Sequence, residues 1–224
     1  MLTTRPPSLR GPFLADPDAT LLCPDGPYLD AVRDLLGVIH LDPCSSSRAQ
    51  AVIAAQSWFR ADQVDASLAQ EWRGNVFLHP HPNARIERRQ VQKLIRDYLN
   101  DRIPSALLLT GRSDLLRTEP LLLSFPFVLH LQRMKHWRWN AEKQALEGIW
   151  PSHNNLTVYL PRRQGTMFDN GAIDRFCHLF QRFGRPTLSE DLGDEWQTHA
   201  LTTTHRWPIK PILTTTRFDR HGAA

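Results

Sequence analysis

Residues 75–83 read Asn75-Val76-Phe77-Leu78-His79-Pro80-His81-Pro82-Asn83, and this stretch decides the fold. A short apolar run, the reading of a buried strand, enters a bend that its two prolines bar from helix and from central strand. Residues 84–100 follow with Ile86, Val91, Leu94, Ile95, Tyr98 and Leu99 on one helical stripe. Arg85, Arg88, Arg89 and Lys93 are expected to point away from that stripe. The unit is therefore strand, bend, helix, and it recurs along the chain. Upstream, Asp25-Gly26-Pro27 opens a helix with Asp25 as N-cap. Its apolar positions are Leu29, Val32, Leu35 and Leu36, with Gly37 as its C-cap. Residues 38–42 read as a buried strand stopped by Pro43, residues 45–47 as a polar turn, and residues 66–72 as a short helix ended by Gly74. Downstream, residues 105–110 form a strand with the exit turn Gly111-Arg112-Ser113-Asp114. Residues 127–131 and 156–160 add two more strands, and residues 172–183 a last amphipathic helix. This alternation predicts an α/β three-layer sandwich with a mostly parallel sheet. Ligands of such sheets lie beyond the carboxyl ends of the strands, which directs attention to the turns after Asp42, Leu78 and Thr110.

The chain has 224 residues, enough to bury a core without disulfides or structural metal. Cys23, Cys44 and Cys177 are an odd set with no paired spacing, against a disulfide framework or a zinc ribbon. That usage fits a reducing compartment, and with no signal-like start and no apolar run near 20 residues the expectation is a soluble, cytoplasmic protein without a membrane partner. Net charge is +4, and only Lys93, Lys135, Lys143 and Lys210 are lysines. Arginine in such excess reads first as the codon usage of a GC-rich genome, and beside that as suited to phosphate contact. Three regions are expected: an irregular N-terminal arm over residues 1–20, an α/β domain over 21–188, and an extended or disordered Pro/Thr-rich tail over 189–224. Within the tail, Trp196, Trp207 and Ile209 are candidate anchors.

The motifs carry a resemblance. Leu41-Asp42-Pro43-Cys44 follows an opening helix; then come Asp65, Leu68, Trp72, Gly74 and Val76-Phe77-Leu78, leading into His79-Pro80-His81-Pro82. In order and spacing this resembles the phage-type Dam family of DNA adenine methyltransferases over roughly residues 21–165. The likeness is specific in the first half and looser in the second. It implies an S-adenosylmethionine methyltransferase fold, S-adenosylmethionine as cofactor, DNA as partner, and methyl transfer to the exocyclic amine of adenine. It also implies cofactor contact by Asp42, Pro43 and Cys44, and a catalytic turn made of His79, Pro80, His81 and Pro82.

That turn departs from the family's (Asp/Asn)-Pro-Pro-(Tyr/Phe). The adenine amine is conjugated with its ring, so two acceptors must aim its lone pair, and an aromatic ring stacks on the flipped base. Here Pro80 keeps the carbonyl acceptor, and a neutral His79 can accept through a ring nitrogen. Pro82 stands in the stacking slot, with His81 as a substitute platform. Losing one aligned acceptor costs about 1–3 kcal/mol. Losing the platform costs about as much again, roughly 1–3 kcal/mol. No Gly-rich cofactor loop is visible.

From the residues alone, Asp42 reads either as a ribose-binding acid or as a turn aspartate. Arg85, Arg88 and Arg89 follow the motif turn, and Arg112 follows the next strand. These, with Lys135, Trp137 and Arg138 from a stretch that interleaves bases and aromatics, are the candidate DNA contacts. Two alternatives stand beside methyl transfer. One is a catalytically inactive DNA-binding or scaffold protein on the same fold. The other is a metal-dependent hydrolase using His79 and His81, completed by His40, Asp42 and His153.

Overall fold

The computed structural model describes residues 23–150, 154–164 and 167–189. The first expected region and nearly all of the last, with His153 and the tail anchors, lie outside the described residues. Elements run in the order β1 (Cys23–Pro24), α1 (Gly26–Leu36), β2 (Leu41–Ser45), α2 (Ser47–Ile53), β3 (Ser57–Arg60), α3 (Val64–Ala69), β4 (Val76–Leu78) and α4 (Ala84–Leu99). They continue with β5 (Ala106–Thr110), α5 (Leu115–Thr118), a 3-10 turn (Pro120–Ser124), β6 (Phe127–Leu129), β7 (His136–Asn140), β8 (Ala145–Ile149) and β9 (Leu156–Leu160). Last come β10 (Arg163–Gln164), β11 (Met167–Phe168), α6 (Asn170–Phe180) and β12 (Pro186–Thr187).

Seven strands form the main sheet in the order β12-β6-β9-β5-β4-β2-β3. The pairs β3–β2, β2–β4 and β4–β5 are parallel, whereas β9 runs antiparallel to both β5 and β6. Because β6 then points the same way as β5, the sheet is mostly parallel, interrupted by β9 and the edge strand β12. Side chains alternate between two cores, as a period of two requires. Leu78, Leu108 and Val158 face α4, where Val91, Leu94 and Tyr98 are buried. Phe77, Leu107 and Tyr159 face the other way, onto Tyr28 and Val32 of α1 and Phe176 and Phe180 of α6. Helices thus cover both faces. A smaller sheet, β1-β7-β8, stands apart from the main one.

Several expectations shift. The strand expected over residues 38–42 is β2, which begins at Leu41 and runs through Pro43 rather than stopping there, because its register against β3 slips between Asp42 and Ser45 and the missing N–H falls in that irregularity. Ser46 is not turn but N-cap: its hydroxyl accepts the Ala49 N–H at 3.2 Å and starts α2. Lys93 does not point to solvent. It is 5% exposed, pairs with the fully buried Asp97 at 2.7 Å, and lies over the Trp72 ring. Gly74 has φ +73°, and a Cβ there would sit 2.6 Å from the His40 side chain. That close approach seats His40 so that its Nδ1 accepts the Asn75 N–H at 3.0 Å.

Candidate functional site at the carboxyl edge

After β2 the chain moves to one side to build β3, then returns to the other side of β2 to build β4. Strand order reverses there, the position at which sheets of this kind bind ligands. Leu41 pairs with Val76, so the turn after Asp42 and the turn after Leu78 lie side by side.

Asp42 is 1% exposed. Its Oδ1 accepts the Cys44 N–H at 3.2 Å, and its Oδ2 accepts from Gln50 Nε2 at 2.7 Å. Gln50 is itself held by the Ala55 N–H, which donates to Oε1 at 3.0 Å. Burial pushes the Asp42 carboxyl up to about 6 against the pull of these bonds. The same burial, reinforced by Asp42, pushes the Cys44 and Cys23 thiols up to about 12, which removes both as nucleophiles near neutrality. Pro43 is buried, and its carbonyl accepts the Ser67 hydroxyl at 2.9 Å.

On the second turn His79 is half-buried and Pro80 buried, while Pro82 is exposed. The His79 ring lies 5.5 Å from that of His136, centroid to centroid. His136 is 1% exposed and donates Nδ1–H to the Met134 carbonyl at 2.9 Å, which leaves Nε2 as a buried acceptor without a partner among the described residues. Burial holds His136 and His81 below the ordinary imidazole range. His81 Nδ1 accepts the Asn83 N–H, and Asn83 caps α4. Gln90, 0% exposed, accepts the His81 N–H at 2.9 Å and lies against the Cys44 thiol. One side chain of α4 therefore ties the two turns together. The third turn joins through Thr110, whose hydroxyl donates to Glu87, and Arg112 pairs with Asp114 at 2.7 Å and Glu87 at 3.5 Å.

The basic candidates flank this edge in two groups. Arg85, Arg88 and Arg89 lie on the first turns of α4: Arg85 is exposed, Arg88 pairs with Glu119 at 2.6 Å, and Arg89 with Asp65 at 3.3 Å. Lys135, Trp137 and Arg138 lie at the hairpin β7–β8; Lys135 sits over the Trp137 ring at 4.1 Å, and Arg138 reaches Glu147 at 3.7 Å. The exposed pair Arg89–Asp65 is worth about 0–1 kcal/mol, so phosphate can displace that carboxylate at little cost, whereas Glu119 is buried and holds Arg88 and Gln92 together. Among the described residues no three His, Cys, Asp or Glu side chains converge as a metal site; His40 and Asp42 are engaged with backbone and Gln50.

Beside the β2 end lies a pocket of about 390 Å³, within the usual range for small ligands. Leu29 and Arg33 of α1, Arg48 and Val52 of α2, and Trp137 and Trp139 of β7 define its walls, and none of its described lining is acidic. S-adenosylmethionine carries an ammonium and a sulfonium beside one carboxylate, and ribose hydroxyls that need acceptors. With Asp42 sealed and saturated, and guanidinium groups in place of carboxylates, the residues present do not fit that cofactor.

No protein-family model, curated protein or solved structure matches this chain. No helix among the described residues is long and apolar enough to cross a membrane.

Sequence reasoning missed Gln50, Gln90, His136 and the Arg48–Trp139 contact. Gln90 had a signal, a polar residue beside the apolar stripe of a helix. Gln50 lay in a helix too short to show a period.

Proposed function

We propose that this chain is a DNA-binding protein on a methyltransferase-type α/β frame, without methyl-transfer activity. The observation that carries this reading is Asp42: the acid where the resemblance implies cofactor contact is closed from solvent, with both oxygens bonded inside the chain. The proline-rich turn supports it, since it offers an imidazole and an exposed proline instead of an amide or carboxylate and an aromatic ring. Binding would use the exposed Arg85, Arg89, whose partner Asp65 is an exposed and exchangeable carboxylate, and Arg138, paired at 3.7 Å with the part-exposed Glu147. Calorimetric titration of the full chain with S-adenosylmethionine and its demethylated product should give no saturable heat at millimolar ligand. Binding to a DNA duplex should be saturable and weaken as salt rises. Saturable cofactor binding sinks the reading.

The second reading is methyl transfer to an adenine amine, held by His79 and the Pro80 carbonyl. One observation favours it: the switch point brings the Asp42 and His79 turns side by side. His79→Asn should then raise transfer of labelled methyl groups to DNA. A variant as silent as the parent argues for the first reading.

A further inference from the structure

We infer that the β7–β8 hairpin is seated by a cluster of neutral histidines, His136 with His79 and His130, and that it lifts from the sheet when the cluster takes up a proton. The attachment of the hairpin is narrow. At its root Met134 enters the core on the α1 side and His136 is 1% exposed, whereas none of residues 137–150 is buried. Farther out it is held by the pairing of β7 with the two-residue β1 and by Arg48 over the Trp139 ring. A histidine is therefore one of the two buried side chains that anchor it.

The neutral rings have every proton placed. His136 donates Nδ1–H to the Met134 carbonyl at 2.9 Å and keeps Nε2 as a buried acceptor. His130, 2% exposed, takes the Thr157 hydroxyl proton on Nε2 at 2.8 Å, and Thr157 accepts from the Tyr28 hydroxyl at 2.9 Å. A proton added to His136 turns Nε2 into a donor with no acceptor among the described residues. A proton added to His130 reverses the Thr157 hydroxyl and leaves the Tyr28 proton without its acceptor.

The surroundings offer such a charge no carboxylate of its own. The turn after β4 brings the His79 ring to 5.5 Å from His136, with His81 following on the same turn. From α1 come Tyr28, 5.8 Å from the His130 ring, and Asp25, which acts on His136 but already accepts the Tyr28 N–H as helix cap. On β1, Pro24 pairs with His136, and Cys23, whose thiol stays protonated, pairs with Trp137. On β9, Thr157 is neutral. After α6, Arg182 lies over the Phe183 ring, which stacks on His130 at 5.5 Å. Lys135 adjoins His136 in the chain and covers Trp137. Burial, with repulsion from His136, holds His130 down at about 4, and burial holds His136 below the ordinary range against its bond to Met134 and the pull of Asp25. A ring that meets water returns toward 6.5. Above 6.5 the seated and lifted states bind protons alike. As pH falls from 6.5 toward 4 the lifted state takes up protons that the seated state refuses, so seating weakens through that window. This goes beyond the DNA-binding reading and stands without it, although Lys135, Trp137 and Arg138 ride on the hairpin.

The test is amide hydrogen exchange of the full chain at pH 7.5 and pH 5, corrected for intrinsic rates and read by peptide. Opening of residues 136–149 should rise at least about fivefold in acid, relative to the amides of β4 and β5. The buried Asp42 acts with the opposite sign over this range, so its titration cannot imitate the effect. Hairpin protection that is unchanged, or that falls only in step with β4 and β5, overturns the inference. His136→Phe keeps a ring and cannot be protonated. Whatever that variant costs in overall stability, it should remove most of the acid response, and a response left at full size overturns the inference. Should the variant not fold, the ring signals of His136 in the parent protein decide. They should stay neutral, with the proton on Nδ1, for as long as the hairpin amides remain protected. A His136 that titrates near 6.5 while the hairpin stays protected ends the proposal.

Discussion

Replacing Asp42 by asparagine removes a buried charge while keeping the side chain's size. Burial raises the carboxyl to about 6 in the folded chain, against 3.8 when exposed. Between those values the folded state holds a proton that the unfolded state has lost. The contribution to stability is therefore fully present below pH 3.8 and disappears as pH rises through 6. The whole separation is worth about 3 kcal/mol, of which about 2 kcal/mol is lost between pH 4.5 and pH 8. Asparagine has no such titration, but it has its own cost. Its oxygen can still accept the Cys44 N–H, whereas its amide meets the Gln50 amide, donor against donor, with Gln50 fixed by Ala55. That mismatch costs about 1–3 kcal/mol at any pH. Urea unfolding at pH 4.5, 6 and 8 should find the variant clearly less stable than the parent in acid, with the gap shrinking by about 2 kcal/mol by pH 8. A gap that stays constant across this range refutes the reasoning, because it means Asp42 titrates alike in both states.

Other changes probe separate parts of the fold. Gly74→Ala must hold a side chain at φ +73° and push it against His40, so a loss of about 1–3 kcal/mol is expected in urea unfolding, and an unchanged midpoint contradicts the close approach. Lys93→Met removes the 2.7 Å partner of the buried Asp97 and leaves it only Arg102 at 3.4 Å and Arg96 at 3.7 Å, for about 1–3 kcal/mol. Adding Asp97→Leu should recover most of that loss, and a double variant as weak as the single one shows that the pair itself was not the cause. Arg85→Ala should lower the salt slope of DNA binding by about one, equally for unrelated sequences; an unchanged slope removes Arg85 from the interface.

What was legible in the sequence follows from physical range. Asp25, Leu29, Val32 and Gly37 specify α1 by local rules alone, and α4 shows its stripe over four turns. The frame of β4 and β5 was legible because each is a short apolar run ended by a strong turn signal, whereas β2 shares only Leu41 and Asp42 with the strand expected over residues 38–42. By contrast β3, with the exposed Ser57 and Arg60 at its ends, has too little apolar alternation to be seen. The two motif turns were visible as positions, but not their chemistry. Whether Asp42 faces a ligand or Gln50, and whether Lys93 faces water or Asp97, depends on packing between segments that no local pattern encodes.

The margins of the main sheet have a consequence for assembly. At one margin, Arg60 of β3 is locked by a two-pronged ion pair to Asp62, a charged plug that an added strand would have to strip. At the other, β12 is two residues long and begins with Pro186, which has no amide hydrogen to offer a neighbour. Growth of the sheet into fibres or swapped dimers is thereby discouraged at both ends, so that copies of the chain can crowd at high concentration without fusing through these strands.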